Sequence, residues 1–252
     1  MKKGLLITFA LLALVFVLFG CFNVVPPVTP GIAFEVLLPD TTEATQIFVV
    51  GSMNGWNKAN PWITLNVVEK DGKKYAVGEV PVGSDILPAA SVTGGAEFEY
   101  KYLAGKDWAY VEKQADGSND IANRFMYVDE FSKIFIKDAV LNWAGAAPTA
   151  PATSAITVKF VAYVPSTTPD GSIVQLAGSM NGWNGEDMTK EGDVWTITKQ
   201  LEANTYYEFK LRLGSDWSYP EGNKDGGYRG NRGLILSNDA TVTIKVLSWE
   251  NM

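Results

Sequence analysis

Apolar and polar residues alternate in short runs along this chain, and beyond residue 20 no stretch sustains a 3.6-residue period. The runs fall at residues 32–38, 46–50, 74–80, 98–102 and 134–136, and again at 156–164, 173–177, 194–201, 207–211 and 240–246. Gly, Pro, Asn or Asp interrupts them, so each reads as a short strand closed by a turn. About seven such strands per hundred residues predict an all-β chain of immunoglobulin-like β-sandwiches.

The pattern is written twice. Gly51-Ser-Met-Asn-Gly-Trp-Asn57 recurs letter for letter as Gly178-Ser-Met-Asn-Gly-Trp-Asn184. Tyr100-Lys-Tyr-Leu-Ala-Gly-Lys-Asp-Trp108 answers Phe209-Lys-Leu-Arg-Leu-Gly-Ser-Asp-Trp217, Asn123-Arg124 answers Asn231-Arg232, and Val140-Leu-Asn-Trp143 answers Val246-Leu-Ser-Trp249. A repeat unit is a structural unit, so two homologous sandwiches in tandem are expected, over residues 31–143 and 155–252. Between them, residues 144–154 are rich in Ala, Pro and Thr and read as a semi-extended linker able to span roughly 30 Å. The first copy is longer between its Gly-Trp loop and its Lys-bearing strand; the extra residues fit best around 61–74 and 84–95.

The start of the chain has a different character. Lys2 and Lys3 precede an almost unbroken apolar run over residues 5–19, the layout of an export signal. Cys21, the one cysteine, follows Leu18-Phe-Gly and resembles the lipobox of bacterial lipoproteins, which implies acylation at Cys21 and cleavage before it. The alternative is a plain N-terminal anchor with an incidental cysteine. The lipoprotein reading makes residues 1–20 a signal peptide and the proline-bearing residues 21–30 a tether. It places the protein outside the cytoplasm, lipid-anchored to the cell envelope.

Composition narrows the chemistry. The sequence holds no histidine, which removes histidine general bases, Ser-His-Asp triads and histidine metal ligands. With one cysteine, expected to be lipidated, thiolate sites go too, and no metal or cofactor is expected. Of 21 basic side chains two lie in the signal segment, leaving 19 against 28 acidic ones. Such a surface repels phosphate backbones, so nucleic acid is not an expected partner.

Period-two alternation over residues 98–102 turns Phe98, Tyr100 and Tyr102 inward and Lys101 outward; the same rule turns Tyr207, Phe209 and Leu211 inward and Lys210 outward. Both lysines are thus expected as exposed donors on rigid strands. Trp56 and Trp183 follow Asn-Gly, and Trp108 and Trp217 follow Gly-Lys-Asp and Gly-Ser-Asp, all turn sequences, so exposure is expected for these four. Trp143, Trp195 and Trp249 read as structural.

This ordered set, Gly-Ser-Met-Asn-Gly-Trp, then an aromatic-Lys strand, then Gly-x-Asp-Trp, then Asn, resembles the starch- and glycogen-binding modules of carbohydrate-binding module family 48 and its relative family 20. The resemblance covers about 90 to 110 residues of each half. It implies that two tryptophans stack on glucose rings while a lysine and an asparagine bind sugar hydroxyls: Trp56, Trp108, Lys101 and Asn123 in the first copy, Trp183, Trp217, Lys210 and Asn231 in the second. A sugar ring has an apolar C–H face and a polar rim, which suits an aromatic plane flanked by a few donors. Shallow sites of this kind bind with dissociation constants of about 10 µM to 1 mM, so a flexible pair on one polysaccharide gains avidity of up to about a hundredfold.

The expected function is non-catalytic binding of α-glucan, with a glycoside hydrolase or sugar transporter as a possible functional partner. Two other readings stay open. A structural or adhesive envelope protein could reuse the sandwich for a different glycan or a protein. A glycoside hydrolase would need paired carboxylates, and Asp107 with Glu112, and Asp216 with Glu221, are kept in register. Solvated or turn-capping carboxylates are the simpler expectation for these four. Differing loops around an identical heptapeptide predict two sites of one type with unequal affinities.

Overall fold

A computed structural model describes residues 28–252; Cys21 and the segment before it lie outside that range. The described chain is all-β, as the alternation predicts. The first half contains β1 (Gly31–Leu37), β2 (Gln46–Gly51), β3 (Ile63–Lys70), β4 (Lys73–Pro81), β5 (Ala96–Leu103), β6 (Glu112–Lys113), β7 (Arg124–Val128), β8 (Lys133–Ile136) and β9 (Asn142–Trp143). The second contains β10 (Ala155–Tyr163), β11 (Val174–Gly178), β12 (Glu186–Asp187), β13 (Thr189–Glu191), β14 (Val194–Glu202), β15 (Tyr207–Leu213), β16 (Tyr219–Gly222), β17 (Arg232–Leu234), β18 (Ala240–Lys245) and β19 (Ser248–Trp249).

Each half buries its alternate residues between two layers. In the second half the layers are separate sheets, β13-β14-β10-β18 and β12-β11-β15-β16-β19, with β17 added to β15. In the first half the order is β7-β5-β2-β3-β4-β1-β8 in one continuous sheet. The difference lies in β3, which pairs with β2 through residues 63–66 and then with β4 through 66–70. One long strand thus crosses between layers where the second half has two short ones. The other enlargement is the connection over residues 82–95, against residues 203–206 in the second half. In both halves the first strand pairs parallel with a late one, β1 with β8 and β10 with β18. The inward sets predicted for β5 and β15 are inward: Tyr100, Tyr102, Phe209 and Leu211 are buried, while Phe98 and Tyr207 are partly so. Trp143 and Trp249 are buried at the ends of the halves, and Trp195 packs on the edge of the second core.

The halves share more than a spacer. Phe125 of β7 belongs to the second core, packing edge-on against Phe209 at 5.6 Å. Arg232 and Arg229 reach across to the buried Glu97 at 2.7 and 2.6 Å. Backbone bonds run from Ala139 N to Ile235 O and from Ser237 N to Lys137 O, both 3.0 Å. Gly233 sits where a Cβ would come within 2.5 Å of the Ala122 carbonyl oxygen, so a side chain there would force the halves apart. Residues 144–154, read from composition as free reach, are held in part: Thr149 N donates to Ala115 O at 2.7 Å, and its hydroxyl to Leu141 O at 2.8 Å. Composition reports what a segment could do alone; here its neighbours supply partners.

Candidate binding site

The repeated heptapeptide is a hook whose residues each have a local task. Gly51 and Gly178 end β2 and β11 where a Cβ would fall 2.1 and 2.5 Å from the carbonyl oxygens of Glu99 and Glu208. The Ser52 and Ser179 hydroxyls accept from the backbone N–H of those same glutamates at 3.1 and 3.2 Å. Asn54 and Asn181 fold back so that Oδ1 accepts from Gly51 N at 3.1 Å and Gly178 N at 2.9 Å. A single 3₁₀ turn follows, and the chain then takes the left-handed conformation twice in succession, at Gly55 and Trp56 (φ 62° and 61°) and at Gly182 and Trp183 (φ 61° and 63°). Glycine adopts this freely; for a bulky residue it is a genuine outlier. The positive φ expected around Asn-Gly therefore extends onto the tryptophan itself. Trp56 N to Gly51 O at 2.9 Å and Trp183 N to Gly178 O at 2.8 Å close each hook.

A second turn brings the partner ring. Asp107 Oδ1 accepts from Ala109 N at 3.0 Å and Asp216 Oδ1 from Ser218 N at 2.8 Å, capping the turns that present Trp108 and Trp217. The Lys58 ammonium, hydrogen-bonded to Asp107, holds that carboxyl below its ordinary range; for Asp216 the Ser218 N–H does the same. Trp56 and Trp108 meet with ring centroids 6.2 Å apart and planes tilted by 38°; Trp183 and Trp217 meet at 6.0 Å and 53°. Trp108 and Trp217 are exposed, at 36% and 43%, and Trp56 and Trp183 are half-buried.

The floors beneath the two pairs differ in chemistry. Under Trp56 lie Phe48, Val50, Leu103 and Val111, an apolar cluster. The second half has Gln175, Ala177, Arg212 and Pro220 at the matching strand positions. There Arg212 Nε donates to Gln175 Oε1 at 3.0 Å, and the guanidinium lies 4.8 Å from the Trp217 ring.

The lysines depart from expectation. Both do point to the outer face, but neither is a free donor. Lys101 Nζ donates to the Ile121 carbonyl at 2.6 Å, and burial pulls its ammonium below the usual lysine range. Lys210 is buried, 5% exposed, beside Glu250 Oε1 at 3.3 Å and the Tyr228 ring at 4.7 Å. Alternation fixes which face a residue takes, not which loop folds over it. Asn123 and Asn231 sit in those covering loops, and each donates to a glutamate of the same outer face: Glu99 Oε2 at 3.0 Å and Glu208 Oε2 at 2.8 Å. The tryptophans of each copy are thus brought together, while Lys and Asn are each engaged by carbonyl or carboxylate partners of the protein itself, on the face whose glutamates also border the seam between the halves. There Glu99 also takes Arg229 at 3.2 Å, and Tyr206 Oη accepts from Ala122 N at 2.6 Å.

Glu112 and Glu221 are not solvated, contrary to expectation. Both are fully buried, and each makes an ion pair with an arginine, Arg124 at 2.9 Å and Arg232 at 2.7 Å. Each also accepts a strand N–H, from Tyr102 at 3.0 Å and Leu211 at 3.2 Å. Burial alone would raise the Glu221 carboxyl; Arg232 outweighs it and leaves the group below its ordinary value. Two exposed rings went unread in the sequence. Tyr110 and Tyr219 stand two residues beyond Trp108 and Trp217 in both copies, and the shared offset was the available signal.

No protein-family model matches the chain, and no curated protein matches it. Among solved structures it is similar to a family 26 carbohydrate-binding module of Eubacterium rectale Amy13K in complex with maltoheptaose, at 7% identity over 87% of this chain and 94% of that one, with a TM-score of 0.27. It is similar to a family 15 glucoamylase of Hypocrea jecorina at 17% identity over 47% of this chain and 20% of that one, with a TM-score of 0.29, so the likeness spans about a fifth of that structure. It is also similar to the shaft pilin SpaA of Lactobacillus rhamnosus GG at 12% identity over 87% and 98%, with a TM-score of 0.22. Likenesses of this size carry no argument about function.

Proposed function

We propose that this protein binds α-glucan without cleaving it, through two aromatic pairs of one type. One observation supports the reading above others: both copies hold a tryptophan in a left-handed backbone conformation, and both set it about 6 Å from a second, tilted tryptophan. Strain of this kind costs of order 1–3 kcal/mol and persists only where the surroundings impose it, which is common at ligand clamps. Two apolar planes meeting at an angle complement a curved chain of sugar rings better than a flat one. Glu112 and Glu221 are buried against arginines, and Asp107 and Asp216 cap turns, which supports a binding rather than a hydrolytic role. A lipid on Cys21 would hold the binding surface at the cell envelope.

The deciding experiment is sedimentation with insoluble starch, comparing the parent chain with Trp56→Ala, Trp183→Ala and the double variant. The parent should pellet, each single variant should bind more weakly, and the double variant should remain in the supernatant. A parent that stays soluble, or a double variant that pellets undiminished, refutes the assignment.

A further inference from the structure

We propose that Tyr228 is a third stacking platform, present in the second half alone, so that the second site holds a longer run of sugar than the first. The inference rests on the α-glucan reading above.

The outer face of β15 carries Lys210 and Arg212, two residues apart and hence roughly 7 Å apart along the strand. Two long cations so placed would ordinarily reach into water, yet they are 5% and 6% exposed. An aromatic ring lies against each. Arg212 is 4.8 Å from the Trp217 ring, and Lys210 Nζ is 4.7 Å from the Tyr228 ring. Both cations are also held by side-chain acceptors, Gln175 Oε1 for Arg212 and Glu250 Oε1 for Lys210. The two rings therefore stand in a row along one strand, each seated on a fixed charge.

Tyr228 is 75% exposed. A ring that lies against a cation on one side and is three-quarters exposed turns its other face to solvent, which is the geometry of a stacking platform. Its loop is built rather than loose. Asn223 Nδ2 donates to Tyr228 O at 3.2 Å, Asn223 Oδ1 accepts from Gly227 N at 3.0 Å, and Arg229 N donates to the same Glu250 oxygen that takes Lys210. The matching stretch of the first half runs Ser118-Asn-Asp-Ile121 and offers no ring. The sites thus differ in length as well as in floor.

The test uses the full chain with Trp56→Ala, which silences the first site, titrated calorimetrically with maltotriose and with maltoheptaose. Adding Tyr228→Ala should weaken maltoheptaose by about three- to tenfold and leave maltotriose within about twofold, while Tyr228→Phe keeps the parent values. The variant should stay folded, with at most a small drop in unfolding midpoint, since the ring is 75% exposed and its packed partner is the Lys210 ammonium, which Glu250 still holds. If Tyr228→Ala binds both sugars like its parent while Trp183→Ala abolishes binding, the platform is refuted and the site stands. Equal losses for both sugars refute the added length. If Trp183→Ala changes nothing, the site reading falls and this proposal with it.

Discussion

The hook can be tested for strain separately from contact by replacing its tryptophan with glycine or with alanine. Both substitutions remove the ring, but only glycine accepts φ near 60° without a Cβ penalty. For an L-residue the left-handed conformation costs roughly 1–2 kcal/mol. Glycine gives back about 0.5–1 kcal/mol through the greater freedom of its unfolded chain. The net expectation is that Trp183→Gly is more stable than Trp183→Ala by about 0.5–1 kcal/mol, against the usual rank of the two residues. Trp56, at φ 61° beside the 63° of Trp183, should behave alike, and the two sites lie on separate loops. The double glycine variant should then exceed the double alanine variant by roughly 1–2 kcal/mol. Urea unfolding followed by far-ultraviolet circular dichroism reads this as a shift in midpoint at constant slope. Glycine and alanine variants should lose starch binding equally. If alanine proves as stable as glycine in both copies, the backbone is not strained there and the hook is simply a turn.

Other expectations follow from the buried charges and the seam. Arg232→Met leaves Glu221 buried without its ion-pair partner and Glu97 with Arg229 alone, and should cost about 3–5 kcal/mol in denaturant unfolding; a loss below about 1 kcal/mol would show that the pair is solvated. Glu221 has a folded pKa below its ordinary value, so its contribution is present above the unfolded value of 4.5 and is lost as pH falls through the folded one. Stability measured from roughly pH 6 down to pH 3 should therefore fall less steeply in Glu221→Gln than in the parent. Gly233→Ala places a methyl against a backbone carbonyl and should destabilise the seam by about 1–3 kcal/mol, seen as a lower or split unfolding transition. Maltoheptaose incubated with the protein should give no shorter products by chromatography; any time-dependent release would overturn the non-catalytic reading.

What could be read in advance was local. Alternation at period two requires only the backbone, and it placed Tyr100, Tyr102, Phe209 and Leu211 inside and Lys101 and Lys210 on the opposite face. The turn residues of the hook and of Gly-x-Asp-Trp act on neighbours within a few positions, so a repeated motif carries its own geometry: Asn54 and Asn181 reach back three residues and Asp107 caps two ahead. By itself the sequence determined an all-β chain, written twice, with four tryptophans on turns. Only the tertiary structure decided what those surfaces meet. Lys210 lost its freedom to Tyr228 and Glu250, and Glu112 and Glu221 sank into arginine pairs. The two halves joined through Glu97 and Arg232, which are 135 residues apart. The physical reason is range. Pleat and turn are set by bonds and clashes along the chain, whereas desolvation and ion pairing depend on whichever distant segment comes to cover a face, and no local period encodes that.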